Sequence, residues 1–131
     1  MERQELFKYA KKEFGTGPDY PWMDWNAVLR HKENNKWYGL IMEVSRNKLG
    51  LEDNALVDVL NVKCDPLLIG SLRLRPGFHA AYHMSKDRWI SIRLDGSVPA
   101  DEIKRLLAMS YELTAPEKVK HQSHDKQAGH K

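Results

Sequence analysis

Cysteine and long apolar runs are the features that this 131-residue sequence has least of. Its single cysteine, Cys64, excludes an internal disulfide framework and fits a reducing compartment. No apolar run approaches the roughly 20 residues that a membrane-spanning helix needs. The N-terminal stretch MERQELFKYAKKEF alternates charged and apolar residues, which is not the pattern of a secretory signal. The sequence therefore predicts a soluble, cytoplasmic protein that has no membrane partner.

A large excess of one charge is also missing. The chain has 21 Lys and Arg against 18 Asp and Glu, which is a formal net charge of +3. Residues 115–131 hold four Lys against one Glu and one Asp, so residues 1–114 carry the remaining charge of only +1. A protein held to DNA by charge alone usually carries a larger excess. A binding surface must therefore be inferred from the placement of the charges and not from their sum.

Sequence motifs of catalysis are absent as well. The chain has no P-loop, no Gly-rich dinucleotide fingerprint, no Ser-centred elbow and no acid pair with readable spacing. Cys64 precedes a predicted helix, where the pKa of a thiol can fall, but no base is placed against it in the sequence. A small buried hydrophobe is the favoured interpretation of Cys64. We expect a chain that is not an enzyme and that needs no cofactor.

Three helices are predicted from periodicity and capping residues. Apolar residues recur at steps of three and four over 6–14 and over 103–114, which predicts an amphipathic first helix and a similar last helix. Gly15 closes the first of them. The stretch DPLLIGSLR predicts a short middle helix, because Asp65 is a natural N-cap and Pro66 a natural first helical residue.

Five strands account for the rest of the body. AVLRHKENNKWYGLIMEVS predicts a hairpin that turns at ENN, ALVDVLNVK a third strand, and RPGFH and RWISIRL the fourth and fifth. Short turns between strands predict a mostly antiparallel sheet covered by helices on one face, an α+β fold in the order α-β-β-β-α-β-β-α. Residues 1–115 would form a single domain. Residues 116–131 are polar and are predicted to be disordered.

The stretch GTGPDYPWMDW, between the first helix and the hairpin, predicts a loop because it is rich in Gly, Pro and Asp. Its aromatic residues Tyr20, Trp22 and Trp25 are expected to pin the loop to the body. Small-ligand binding beside them is an open alternative that would require a formed pocket.

Four stretches occur in an order that is typical of one family. They are TGPDYPW, LRHKENNKWYGLI, LNVKCDPLLIGSL and PGFHAAYHMSKDRWISIRLDGSVPADEIKRLLAMSYEL. Together they resemble the MmcQ/YjbR family of the YjbR/CyaY-like superfamily, over residues 1 to about 115. The resemblance implies a two-layer α-β(3)-α-β(2)-α fold similar to that of type III secretion chaperones. Members are commonly labelled DNA-binding proteins, so the resemblance implies DNA as a partner, although a shared fold is no proof of a shared function.

The middle of the chain is its most basic part, with a local charge of +4. Its cations are Lys63, Arg73, Arg75, Lys86, Arg88 and Arg93, and its acids are Asp65 and Asp87. Strand periodicity places Trp89 and Arg93 on one face. An aromatic ring beside Lys and Arg suits a nucleic-acid strand or a phosphate-bearing ligand, through stacking and charge. We therefore predict nucleic-acid contacts by Lys63, Lys86, Arg88, Trp89 and Arg93.

Two alternatives to this prediction stay open. The basic segment could be a solvated sheet face on which Trp89 covers the stems of Lys and Arg side chains. The chain could instead be a chaperone-like protein-interaction module that uses an exposed sheet face or a dimer interface.

The histidines do not indicate a metal site. His79 and His83 would be about 13 Å apart on a strand, too far to share one metal ion. His121, His124 and His130 lie in the polar C-terminal segment, where metal binding would be weak. CyaY-like relatives bind iron through acidic helices, but the first helix here is rich in Lys, so we do not transfer that role.

Overall fold

The chain forms three α-helices and a five-stranded sheet in a computed structural model that describes residues 1–116. The elements are α1 (Arg3–Phe14), β1 (Ala27–Arg30), β2 (Trp37–Ser45), a 3₁₀ helix (Arg46–Leu49), β3 (Leu56–Lys63), α2 (Pro66–Leu72), β4 (Phe78–Ala80), β5 (Trp89–Arg93) and α3 (Ala100–Thr114). The strands pair antiparallel in the order β1-β2-β3-β5-β4. The predicted α+β class and element order are confirmed. The predicted disorder over 116–131 lies, apart from residue 116, outside the described residues.

One face of the sheet is covered by the helices, and the core lies between them. Leu6, Phe7 and Ala10 of α1 are buried in it, together with Ile103 and Leu107 of α3. Both helices therefore bury the stripes that their periodicity predicts, since residues three and four apart share a helix face. The short helix α2 begins as expected from its sequence: the side chain of its N-cap residue accepts a hydrogen bond from the second helical amide at 2.9 Å.

A bulge in β2 places Tyr38 in this core. The pairing passes from Leu29 opposite Gly39 to Arg30 opposite Trp37, so Tyr38 is an extra residue in β2. The Tyr38 ring then packs 5.5 Å from that of Phe14 and 4.9 Å from that of Tyr111, centroid to centroid. Burial raises the pKa of Tyr38 to about 12. The bulge thus joins the hairpin to both long helices.

The second face of the sheet is buried at its centre as well. Val59, Asn61 and Ser91 point away from the helices and are fully buried, and the Ser91 hydroxyl donates to Asn61. The connection between β2 and β3 reaches across this face, since Arg46 lies 3.6 Å from Asp95 after β5. The Tyr82 amide also donates to Ser91 Oγ at 2.9 Å. Strand alternation predicts that this face of the sheet is exposed to solvent. Its centre is instead covered.

Both edges of the sheet are short. β4, at one edge, has three residues, and β1, at the other, has four. The outer side of β1 is partly occupied, because Val28 exchanges two backbone hydrogen bonds with Asp19, at 2.8 and 2.9 Å. Asp19 belongs to the predicted loop, so the loop begins by following the sheet edge.

Candidate nucleic-acid interface

Three of the five predicted contact residues meet at one end of the sheet. β3 ends at Lys63 and β5 begins at Trp89, and the two residues are direct partners in the antiparallel pairing. Side chains at such positions begin about 4.5–5.5 Å apart. The Cys64 amide donates to the Arg88 carbonyl at 2.8 Å, which extends the pairing by one step and brings Arg88 alongside. Both Lys63 and Trp89 are half-buried, and Arg88 is exposed.

Lys86 lies in the connection that leads into β5. A tight turn there is closed by the Ser85 carbonyl, which accepts from the amides of Arg88 and Trp89 at 3.3 and 3.0 Å. Lys86 is exposed, and its Nζ donates to the Ala81 carbonyl at 3.0 Å. Because Ala80 pairs with Ile90, Ala81 is beside the start of β5, and the ammonium group lies at this same end of the sheet. We call Lys63, Lys86, Arg88 and Trp89 the β3–β5 end.

Arg93 does not belong to this group. It lies at the far end of β5, four residues from Trp89, and a strand advances about 13 Å over that distance. Its side chain is only 11% exposed and lies 3.5 Å from Asp95. The prediction that it contacts nucleic acid with the other four is therefore not supported by its position, because Asp95 already balances its charge and the covered sheet face surrounds it.

Fewer cations of the basic segment are available for binding in the structure than the sequence suggests. Arg75 forms a two-pronged pair with Glu102, at 2.5 and 2.7 Å, which raises the pKa of Arg75 and lowers that of Glu102. Two of the six cations, Arg75 and Arg93, are thus paired. Within residues 1–116, the other four form no ion pair. Set against Asp65 and Asp87, the four leave an excess of +2 where the sequence shows +4.

Cys64 and the described histidines offer no reactive or metal-binding cluster. Cys64 is buried, and burial, followed by the nearby charge of Asp65, raises the pKa of its thiol. The interpretation of Cys64 as a small buried residue is confirmed, and burial acts on its thiol pKa in the direction opposite to that expected at a helix N-terminus. In the part of the chain that the structure describes, no three His, Cys, Asp or Glu residues are placed to share a metal ion. His121, His124 and His130 lie outside that part.

A buried arginine at the start of α1 is the main feature that sequence reasoning missed. Arg3 is 3% exposed and binds both carboxylate oxygens of Asp58 in β3, at 2.6 and 2.9 Å. Its guanidinium carbon also lies 4.2 Å from the ring centre of Trp25. The signal in the sequence was the position of Arg3, three residues before Leu6 and seven before Ala10, on the buried face of α1.

The aromatic loop is held to the body at two points. Trp25 packs on Arg3, and Trp22 packs edge-on against Trp37 with centroids 5.8 Å apart. Tyr20, Trp22 and Trp25 nevertheless stay partly exposed, so the expected pinning is only partial. A cavity of about 470 Å³ adjoins Trp25, but the charges of Arg3 and Asp58 that line it are already paired with each other. Neither Arg3 nor Asp58 is therefore left unpaired to hold a ligand in this cavity.

Two exposed leucines lie in the first turn of α2 and just after its end. Leu67 is 88% exposed and Leu74, just beyond the helix, is 87% exposed. Single exposed apolar residues are ordinary on protein surfaces, but two almost fully exposed leucines close in sequence are less so.

Of the helices in residues 1–116, none has the length and apolar character to cross a membrane.

The fold and the basic strand end together define a small α+β protein of one sheet and three helices. Comparison with known proteins gives the family: the YjbR family model matches residues 12–113, and the chain belongs to the YjbR family. The predicted membership of the YjbR family is therefore confirmed. The chain is 45% identical over 116 residues to the Bacillus subtilis (strain 168) protein named "Uncharacterized protein YyaQ", covering 87% of this chain and 98% of that protein.

Solved structures with the same fold come from two other bacteria. A crystal structure of a Pseudomonas syringae protein is 44% identical, with a TM-score of 0.85, and the match covers 88% of this chain and all of that one. A solution NMR structure from Pseudomonas syringae, also 44% identical, has a TM-score of 0.79 and covers 89% and 95%. Deinococcus radiodurans protein DR2400, a DUF419-domain protein, is 22% identical with a TM-score of 0.68, covering 98% and 88%, and shows the fold alone.

Proposed function

We propose that this chain is a cytoplasmic, non-enzymatic binding protein that contacts nucleic acid through the β3–β5 end. The observation that supports the proposal most directly is the pairing of Lys63 with Trp89 across two strands. The two side chains therefore begin at neighbouring positions on the same face of the sheet, and Arg88 is one residue from Trp89. Within the described chain, no carboxylate pairs with Lys63, Lys86 or Arg88. Their charges are free to neutralise phosphates.

The expected binding mode follows from the small number of cations. Three phosphate contacts give modest affinity and fix position without reading sequence. Trp89 adds stacking, which is possible on an unpaired base but not inside a duplex, and one stacked base is worth about 1–3 kcal/mol. We therefore propose weak, sequence-tolerant binding that favours single-stranded segments over duplex.

A salt titration tests this proposal. Anisotropy of a fluorescent DNA oligomer would be measured against the full chain between 50 and 200 mM salt, with matched duplex and single strand. Three phosphate contacts predict slopes of log K against log salt of about −2.7 for duplex and about −2.1 for single strand, hence about 40-fold and about 20-fold losses. Lys63→Gln and Arg88→Gln should each reduce the slope by nearly one.

Matched controls separate this site from other lysines. Lys11→Gln removes the same charge from an exposed position on α1 and should leave the slope unchanged. Replacing the four C-terminal lysines by Gln in the full chain measures their contribution to DNA binding and to its salt dependence. These lysines are Lys118, Lys120, Lys126 and Lys131. Trp89→Leu should weaken single-strand binding more than duplex binding. Absence of binding at 50 mM salt would refute the proposal, and so would unchanged slopes in both β3–β5 variants.

The exposed leucines beside α2 favour a second candidate, a protein-interaction module. Leu67 and Leu74 would supply apolar contacts to a partner or to a second copy of the chain. If a second copy binds there, light scattering during size exclusion should show a dimer at high concentration that Leu67→Ser with Leu74→Ser abolishes. If the unmodified chain and the double variant are both monomeric at every concentration, self-association through these leucines is ruled out.

A further inference from the structure

A cavity of about 320 Å³ lies beside the edge strand β4, outside the β3–β5 end except for one shared residue. Three cations line it: Lys48 from the 3₁₀ helix, Arg73 from the end of α2, and Lys86 from the β4–β5 connection. None of its lining residues is Asp or Glu. The three cations are 25 and 13 residues apart in the sequence, so the fold and not a basic run collects them.

Within residues 1–116, none of these three cations has a partner of opposite charge. Across residues 1–116, neither Lys48 nor Arg73 forms an ion pair or a side-chain hydrogen bond, and both are exposed enough to move toward a ligand. Lys86 uses one ammonium hydrogen on the Ala81 carbonyl, which leaves two. Like charges around one cavity repel each other, and an anion bound between them would relieve that repulsion.

His79, in the wall of the cavity, has a buried nitrogen without a partner. Its Nε2 atom is shielded from solvent and forms no hydrogen bond to any described residue. Such atoms are uncommon in folded proteins, because a buried polar atom without a partner is unfavourable. Burial lowers the pKa of His79, and Arg93 and Arg46 lower it further, whereas the Leu49 backbone and Asp95 oppose the shift. The ring is therefore neutral near pH 7 when the cavity is empty.

We propose that this cavity binds a small anion that carries a phosphate group. Lys48, Arg73 and Lys86 would pair with its oxygens, and Arg73 can offer two parallel N–H groups to one phosphate. A bound dianion would also favour the protonated form of His79, whose side chain lies in the cavity wall. The volume suits a phosphate with a small organic part and no more. This inference does not rest on nucleic-acid binding.

Amide and histidine NMR of the full chain tests the inference. Inorganic phosphate and adenosine monophosphate would be titrated separately, each against sodium chloride at equal ionic strength. We expect saturable shifts in residues 48–49 and 79–82 and a higher pKa for His79 with phosphate than with chloride. Arg73→Gln and Lys48→Gln should each raise the Kd about tenfold, while Lys11→Gln should leave it unchanged. Because both cavity side chains are exposed, these variants should keep a folded amide spectrum.

The outcomes separate the source of the phosphate from a general salt effect. Tighter binding of the nucleotide than of inorganic phosphate would identify a phosphate monoester as the ligand class, and equal binding would identify phosphate itself. Shifts that chloride reproduces, or equal Kd values in both cavity variants, would overturn the inference. Shifts with a DNA oligomer alone would also overturn it and would leave the proposed nucleic-acid function standing. Loss of DNA binding alone would leave this inference intact.

Discussion

Replacing Arg3 by methionine should destabilise the fold by about 3 kcal/mol, because it leaves Asp58 without its partner. Arg3 is 3% exposed and makes two hydrogen bonds to that carboxylate, as well as one to the Trp25 carbonyl. Removing one partner of a fully buried pair costs about 3–5 kcal/mol. The Asp58 side chain is 23% exposed and regains some water, which favours the lower end of that range.

A double-mutant cycle in urea, followed by circular dichroism, measures the pair directly. Asp58→Asn should also cost about 3 kcal/mol, since it leaves the buried Arg3 guanidinium uncompensated while the Asn side-chain oxygen can still accept one hydrogen bond. The double variant should cost about as much as Arg3→Met alone, so that the two changes are far from additive. Arg30→Met is the matched control: Arg30 pairs with Asp19, but the two side chains are 32% and 56% exposed. Its cost should stay below about 1 kcal/mol.

Additive costs in this cycle would refute the assignment of Arg3 and Asp58 as a coupled pair. A change in the slope of the free energy of unfolding with urea would indicate an altered unfolded or native state instead. Trp25 provides an independent reading, because its ring packs on the Arg3 guanidinium. Because the chain has four tryptophans, the red shift of fluorescence expected in Arg3→Met as the loop loses this contact should disappear in a Trp25→Phe background.

Three further predictions concern a titration, a turn and a thiol. Tyr38 ionises near pH 12 when folded but near pH 10 when unfolded, so the unfolded chain loses its proton first as pH rises. The free energy of unfolding should therefore fall by about 2–3 kcal/mol between pH 10 and 12, and by less in Tyr38→Phe. Gly77→Ala should cost at least about 1 kcal/mol more than Gly96→Ala in urea denaturation. Both glycines have φ near +90°, but only at Gly77 would a Cβ lie 2.6 Å from Val98; equal costs would contradict this steric argument. Cys64 should react with a disulfide reagent at pH 8 at least about tenfold more slowly in the folded chain than in urea, because it is buried and its pKa is raised; equal rates would contradict its burial.

Periodic apolar residues were sufficient to predict most of the fold. The stripes of α1 and α3 and the alternation in β5 place Leu6, Ile103 and Ile92 in the core that they form. These are local patterns, in which side-chain direction follows from backbone geometry. No local sequence pattern predicts that the second face of the sheet is covered. This covering depends on contacts such as that of Arg46 with Asp95, between residues far apart in the sequence.

The candidate site was predictable only in part for the same reason. Lys63 and Trp89 meet because β3 pairs with β5; both strands were predicted, but they are not consecutive along the chain, so their pairing did not follow from strand order. The loss of Arg75 and Arg93 from the basic group depends on carboxylates supplied by a helix and a turn. The charge of a segment shows which groups can bind an anion, but it does not show which of them the folded chain has already paired.

The short sheet edges restrict how this protein could recruit a partner. A partner that adds a strand needs a run of unpaired backbone groups, and long edges also promote aggregation. β4 offers three residues, and the outer side of β1 is partly occupied by Asp19. Main-chain pairing with another chain is therefore limited to a few hydrogen bonds at either edge. Any recognition of a partner would therefore depend mainly on side chains, such as the cations or leucines of the two proposed surfaces.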